Sequence, residues 1–265
     1  MSRCFLKHAR LLRWLGAALG LAVALVLIKL SGSSGAAFIL ALYITFLIMW
    51  PIFINTRSAR PLKKAIAYLE EHCDPYPLLE ITEAGVKQNR NSVTYGLLYA
   101  DALEMLGFPG KADAAMRTLE AGRALRRASS RRILYYIQRA NTAIDRERPE
   151  EAKAALALAE QDMAARKSLE EGVRSSQAEF PALLQKIYFM VACLVEPTPD
   201  KEARLLENIA GADSEFQRVD SHWTMARYYL RNGSADRAAE HLRYVAEHGN
   251  ELVIRTKAEE LLKTL

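Results

Sequence analysis

The sequence predicts an all-α protein in which a hairpin of two apolar helices precedes an array of paired amphipathic helices. Two long apolar runs, residues 11–30 and 36–54, lie near the N-terminus. In the rest of the chain, apolar residues recur at the three- and four-residue spacings of a helix face, and the pattern repeats. No stretch shows the strict alternation of a half-buried strand.

The first 56 residues are predicted to be a membrane anchor with two transmembrane helices, at about 11–30 and 36–54. Nineteen helical residues span roughly 28 Å, close to the hydrocarbon thickness of a bilayer. Trp14 and Trp50 stand near the ends of the runs, where interfacial anchors are expected. Only the Ser-Gly stretch 31–35 separates the runs, which favours a tight hairpin. A cleaved signal peptide is the alternative for the first run.

Charge predicts the orientation of this anchor. Residues 1–55 hold five basic residues and no acid, which accounts for the net charge of +5. The remaining 31 basic and 31 acidic residues balance, so the basic pI gives no support for nucleic-acid binding. The excess of basic residues outside the two runs places both termini and the following domain in the cytoplasm, as an integral protein of the cell membrane. Three widely spaced cysteines fit a reducing compartment.

Residues 57–92 are predicted to form juxtamembrane helices. Pro61 to Glu71 has a proline in its first turn and apolar residues on one face. The Pro-containing stretch 74–77 breaks it, a further helix covers Leu78 to Gln88, and Ser92 is a plausible cap for the next.

The main evidence for an array is a pattern that recurs on four small or β-branched residues, Ala100, Ala140, Val191 and Ala226. Apolar residues lie three before and three after each origin, a glycine stands at seven in the first and fourth copies, and apolar residues return at twelve, sixteen and nineteen. The second copy has Glu147 in the glycine position, and the third has Glu207 at sixteen. The members are Leu97, Leu103, Gly107, Ala112, Met116 and Leu119; Ile137, Ala143, Ala152, Leu156 and Ala159; Tyr188, Leu194, Ala203 and Ala210; Trp223, Tyr229, Gly233, Ala238, Leu242 and Val245.

These residues resemble the tetratricopeptide repeat (TPR) family, a helix–turn–helix unit of about 34 residues. The resemblance covers roughly residues 93–246 and implies a right-handed solenoid of α-helical hairpins. A long alanine-rich helix from Glu150 to about Glu170 explains one wide interval between copies. A closing helix from Glu251 to Leu265 is predicted to cover the open face of the last unit, so that the repeat domain is 93–265.

The resemblance also indicates binding residues. In peptide-binding TPR proteins the first helix of each unit lines a concave groove, and the position after the origin residue is one such site. It holds Asp101, Asn141 and Arg227 here. The lysine of a carboxylate clamp is absent, which favours a general peptide groove over recognition of a chain terminus.

A run of arginines is a second candidate binding surface, for an anionic lipid or an acidic partner. Arginines dominate residues 117–139, where Glu120 is the one acid; the alternative is a solvated surface whose arginines pair with acidic neighbours. The predicted binding residues of the run are Arg123, Arg126, Arg127, Arg131 and Arg132.

Motifs for catalysis, cofactors or metals are missing: the chain has no G-x-S-x-G, H-E-x-x-H, G-x-G-x-x-G or C-x-x-C. We therefore predict a non-enzymatic, membrane-anchored scaffold or adaptor that binds a protein or peptide, without a cofactor or a metal. One alternative is an enzyme, or an accessory subunit of a membrane enzyme complex, with a site of scattered helical residues. A transporter component is the other, although neither run has a central ionisable residue.

Overall fold

The computed structural model describes residues 2–89, 92–122, 125–126, 129–169, 179–196 and 198–265, and within them it is entirely α-helical. The chain forms two compact units, Met1–Lys64 and Ala65–Leu265. The segment 57–92 divides between them. The helices of the described residues are α1 (Ser2–His72), α2 (Tyr76–Gln88), α3 (Val93–Met105), α4 (Pro109–Glu120), α5 (Ser130–Asp145), α6 (Pro149–Leu169), α7 (Glu179–Val195), α8 (Pro199–Ala210), α9 (Glu215–Arg231), α10 (Ala235–His248) and α11 (Val253–Leu262).

The first unit is a helical hairpin, although its helical residues run without a break from Ser2. The Tyr43 hydroxyl donates a hydrogen bond to the Ala17 carbonyl at 3.4 Å, and a straight helix would separate these residues by roughly 39 Å. Gly20 faces Phe46 and Gly16 faces Trp50 so closely that a Cβ on either glycine would collide with the ring. The midpoint of both pairs is Ser33, so the chain reverses in the Ser-Gly stretch, as predicted.

The transmembrane part of this prediction is not supported. Among the residues that the structure describes, no helix has both the length and the hydropathy that a membrane crossing requires.

In the second unit the helices pack in neighbouring pairs. The pairs α3–α4, α5–α6 and α9–α10 are antiparallel neighbours in sequence, and α8 packs on α9. The first helices of the pairs also pack on one another, α3 on α5, α5 on α7 and α7 on α9, and so form a continuous layer. Apart from the exposed turn glycines Gly107 and Gly233, the predicted residues of the first, second and fourth copies are buried in this core, among them Ala100, Ala140, Leu156, Ala226 and Leu242.

The third copy has the wrong register in its second helix. Ala203 and Ala210 are exposed, whereas Leu205 is 2% exposed and packs with Ile209 against α9 and α10. The two large aliphatic residues are four apart and define one face of α8. Because leucine and isoleucine bury far more apolar area than alanine, that face turns to the core.

Turns after the first helices adopt the left-handed conformation expected of a helix end. Gly107 and Gly233 have φ of 76° and 69°, and Glu147 has φ of 57° where the pattern lacks its glycine. A glutamate there is strained, and its carboxylate compensates: it lies 3.4 Å from Arg227 Nε and 2.9 Å from Arg231 Nη2. The turn of the second pair is thus fixed to α9.

The last helices close the array. α11 packs on α10 and also contacts α3, where Val253 fills the space beside Gly107. Asn250 Nδ2 donates to the His72 carbonyl at 2.7 Å. Leu252 is buried, and Leu261 and Leu262 are half-buried. The closing helix was therefore predicted correctly in position, but it covers α3 as well as the last pair.

Candidate functional site

The layer of first helices brings side chains of α3, α5 and α9 within interaction range of one another. Four helices side by side in a flat layer would separate α3 from α9 by roughly 27 Å. Instead, Asp220 on α9 raises the pKa of Asp101 on α3, and Arg227 Nη2 on α9 donates to the Ile144 carbonyl at the end of α5 at 2.8 Å. We call the surface formed by Asp101, Asn141, Asp145, Asp220 and Arg227 the inner face.

The three residues predicted from the TPR resemblance differ in availability. Asp101 is half-buried and accepts a hydrogen bond from Gln138 Nε2 at 3.0 Å. Asn141 is half-buried and makes no side-chain hydrogen bond with any residue that the structure describes. Arg227 is only 6% exposed and is occupied by the Ile144 carbonyl and Glu147. Its guanidinium holds α5 and α9 together, which makes it a poor contact for a ligand.

Sequence reasoning missed two carboxylates of the inner face. Asp145 and Asp220 are exposed to solvent, yet enough protein surrounds them for desolvation to act on their charge. A helical-wheel count could have found them. At 3.6 residues per turn, offsets of +1, +5 and −6 from the origin residue fall at about 100°, 140° and 120°, on one face. Asn141 and Asp145 follow Ala140 by one and five, and Asp220 precedes Ala226 by six.

Electrostatics make the inner face acidic and easy to protonate. Desolvation, followed by repulsion from neighbouring carboxylates, raises the pKa of Asp101 to about 6 and that of Asp145 to about 7. Desolvation also raises the pKa of Asp220, while Lys186 and Arg227 oppose that rise. These groups can accept hydrogen bonds from a cationic ligand, and they can exchange protons near neutral pH.

The predicted arginine run does not form one free surface. Arg123 and Arg127 lie outside the described residues, whereas Arg126 and Arg131 are exposed. Arg132 forms a two-pronged ion pair with Asp162 of α6, through Nε and Nη2. Asp162 is 2% exposed, so this arginine neutralises a buried carboxylate and links α5 to α6.

A cluster of histidines lies between α9 and α10. Nδ1 of His222 and Nδ1 of His241 are 2.9 Å apart. His222 stacks on Tyr244 and His241 on Tyr229, and Glu215 accepts from Tyr244 and contacts His248. In the part of the chain that the structure describes, no three side chains are grouped to hold a metal ion. The cluster is a titratable contact between two helices.

The hairpin of the first unit has an extensive apolar surface. Trp14 is 79% exposed, Leu19 69% and Phe38 68%, and most of the other large apolar residues described on both arms are also exposed. An apolar cleft of about 560 Å³ runs between the arms, lined by residues such as Leu27 and Ile39. Contiguous exposed apolar surface of this extent indicates contact with a lipid phase or another protein.

The negative charge of the inner-face carboxylates is expected to lower the stability of the fold. We expect Asp145→Asn to stabilise the fold at pH 8 by about 1 kcal/mol, an amount limited by solvent screening of this exposed group. When the folded state raises the pKa of a carboxyl group, the protein loses stability as the pH rises through that pKa, which is about 7 for Asp145. Thermal unfolding at pH 8 and pH 5 measures the effect, with Glu207→Gln on the exposed side of α8 as control. An equal gain at both pH values would contradict the electrostatic cause.

Comparison with protein-family models, with curated proteins and with solved structures finds no match to this chain. The resemblance to TPR proteins therefore remains a prediction from the residues quoted above.

Proposed function

We propose that this protein is a membrane-anchored scaffold whose TPR-like helical domain binds a partner protein on its inner face. The two-helix hairpin, with transmembrane segments at about 11–30 and 36–54, holds the domain at the cytoplasmic side of the cell membrane, with both termini in the cytoplasm. Anchoring raises the local concentration of any weakly bound partner, so modest contacts suffice.

The observation that carries the binding proposal is the accessible, acidic inner face. Asp145 and Asp220 remain exposed although their charges oppose folding. Carboxylates that destabilise the free protein are typical of binding surfaces, because a bound cation relieves their mutual repulsion. Asn141, with no hydrogen-bond partner among the described residues, is suited to contact a peptide backbone. A partner segment with lysine or arginine fits this surface best.

The anchoring proposal is supported by the exposed apolar surface of the hairpin and by its lack of acidic residues. None of the 31 acidic residues of the chain lies in residues 1–64. A helix whose whole surface is apolar is stable inside a protein core or a lipid bilayer, where none of its surface faces water. Arms that expose residues such as Leu19 and Phe38 outside their mutual contact therefore favour a lipid environment.

Site-specific photo-crosslinking in cells would test the function. A photoreactive side chain replaces Asn141 in the full-length chain, or Glu207 as a matched exposed position on α8. We expect a discrete crosslinked partner from position 141 that is absent from position 207. The crosslink should weaken at least tenfold in Asp145→Lys, since charge reversal at a contact costs more than about 1.4 kcal/mol.

Two controls make this test decisive. Glu207→Lys introduces the same charge change away from the inner face and should leave the crosslink intact. Extraction of membranes at alkaline pH reports anchoring separately, because an integral hairpin stays with the lipid. A crosslink unaffected by Asp145→Lys would exclude the inner face as the binding surface, and release of the chain into the supernatant would exclude the anchor.

A second candidate function, an acid–base enzyme or its accessory subunit, is favoured by one observation. The carboxyl groups of Asp101 and Asp145 have pKa values near 6 and 7, in the range that is typical of catalytic acids and bases. A crosslinked small molecule or cofactor in place of a protein at position 141 would support it.

A further inference from the structure

The charge of the chain is divided unequally between its two units. Residues 1–64 contain nine of the 36 basic residues and no acid, which leaves 27 basic and 31 acidic residues for the second unit. The hairpin unit is thus both apolar and cationic, while the helical domain is slightly acidic. This division gives the net positive charge to the unit that also exposes the large apolar residues of the hairpin.

Three of these cations form a group at the end of the second arm. Arg60, Lys63 and Lys64 are exposed and lie in the helical part of α1. Spacings of three and four residues place them on one side of the helix. None of them forms an ion pair with a residue that the structure describes, and the first acid of the chain is Glu70.

The position of this basic group along the helix matches the headgroup layer of a membrane. Arg60 follows Phe53, a half-exposed residue of the apolar arm, by seven residues, or roughly 10 Å along a helix. The polar layer on each side of the hydrocarbon core is about 5–8 Å thick. If the arm lies in lipid, the three cations reach the phosphate groups of the same leaflet.

We propose that Arg60, Lys63 and Lys64 form a binding site for the headgroups of anionic phospholipids. This inference rests on the proposed membrane anchor and states which lipids the anchor would bind preferentially. The site differs from the arginine run, whose Arg132 is occupied by Asp162. A lipid fits better than a free anion, because the apolar arm, with Phe53 roughly 10 Å along the helix from Arg60, provides a surface for the acyl chains of the same molecule. Each basic residue near an anionic surface contributes about 1 kcal/mol, or roughly a fivefold preference.

Quenching of tryptophan fluorescence by brominated lipids would test the site in the full-length chain. The protein is reconstituted into phosphatidylcholine vesicles that contain dibrominated phosphatidylglycerol or dibrominated phosphatidylcholine. Trp14 and Trp50 report on lipid next to the hairpin, and Trp223 is buried in the second unit and adds a constant background. We expect brominated phosphatidylglycerol to bind about fivefold or more in preference to brominated phosphatidylcholine.

The variant Arg60→Gln, Lys63→Gln, Lys64→Gln should reduce this preference about fivefold or more, and any preference that remains comes from the six other cations of residues 1–64. A matched variant, Arg243→Gln, Lys257→Gln, Lys263→Gln, removes three exposed cations from the second unit and should retain it. Equal quenching by both lipids, or an unchanged preference in the first variant, would overturn the headgroup site and leave the anchor intact. Quenching by neither lipid would overturn both proposals.

Discussion

Replacing Arg132 by alanine is expected to lower the free energy of unfolding by about 3–5 kcal/mol, the cost of leaving a buried charge without its partner. The reason is the partner that remains. The Asp162 side chain is almost fully buried on α6, and Arg132 neutralises it through two hydrogen bonds. Without the guanidinium, a buried carboxylate must stay charged and unpaired or take up a proton. Urea unfolding of the full chain in detergent, followed by circular dichroism, measures the loss.

The neighbouring Arg131 provides the matched control. It is exposed, and we expect Arg131→Ala to change stability by less than about 0.5 kcal/mol. The double variant Arg132→Met, Asp162→Leu should recover most of the loss, because apolar residues of similar volume can replace a buried ion pair. If Arg132→Ala were as mild as Arg131→Ala, the ion pair would have no structural role and Arg132 would again be a candidate for partner binding.

This ion pair also shows where sequence reasoning about the second unit reaches its limit. The run of arginines is visible in the sequence, but Asp162 lies 30 residues away. Only the packing of α5 on α6 brings the two together. The acids that follow the run most closely after Glu120 and Asp145, which are Glu147, Glu150 and Glu151, have other partners. Glu147 pairs with Arg227 and Arg231. Glu150 pairs with Lys153 within α6, and Glu151 pairs with Arg148, which directly precedes that helix.

Helix faces were predicted well where large apolar residues and the small origin residue agreed. In α3, α5 and α9 the residues three before and three after the origin are buried as expected, for example Leu97, Ile137 and Trp223. In α8 no spacing rule could weigh Ala203 against Leu205, because both lie on a possible apolar face. The apolar area that each residue buries decides which face turns to the core, and a pattern of fixed spacings does not take that area into account.

The helix α9 starts well before Trp223, the first residue of the fourth copy of the pattern, and the sequence carries a signal for that start. The helix begins at Glu215, where Ser214 accepts a hydrogen bond from the Gln217 amide at 3.2 Å, and Gln217 Oε1 accepts from the Asp213 amide at 3.1 Å. Ser followed three residues later by Gln is a capping box. The part of α9 before the repeat pattern also carries Asp220, so one carboxylate of the inner face was overlooked with it.

The chemistry around the predicted site residues could not be read from the sequence. The TPR resemblance assigned Asp101, Asn141 and Arg227 to one groove-lining position of the repeat. The resemblance could not predict that the Arg227 guanidinium would donate to the Ile144 carbonyl and pair with Glu147. That contact depends on the curvature of the layer, which arises from the packing of all four first helices and not from any one repeat.

Acidification is expected to weaken the contact between α9 and α10 through the His222–His241 pair. Desolvation, followed by repulsion from His241, Arg218 and His248, lowers the pKa of His222 to about 4, while Glu215 opposes it. Desolvation and Arg237 lower the pKa of His241, and Glu240 opposes it. Unfolded histidine titrates near 6.5, so the unfolded chain binds more protons and stability is lost as pH falls from about 6.5 toward 4. Between pH 8 and pH 5 the His222 contribution to the loss is about 2 kcal/mol, or roughly 4–8 °C in melting temperature.

The wild-type pH profile alone cannot reveal this loss, because the inner face acts with the opposite sign. The raised pKa values of Asp101 and Asp145 make acidification stabilising, since a protonated carboxyl no longer opposes folding. The comparison must therefore be between variants at each pH. His222→Phe with His241→Phe keeps the rings that stack on Tyr244 and Tyr229 but removes both titrating groups, so its melting temperature should fall less than that of the wild type between pH 8 and pH 5. His72→Gln, which removes a histidine outside this contact, should follow the wild type. Parallel profiles for the wild type and the double phenylalanine variant would show that the histidine pair does not govern the acid response of this helix pair.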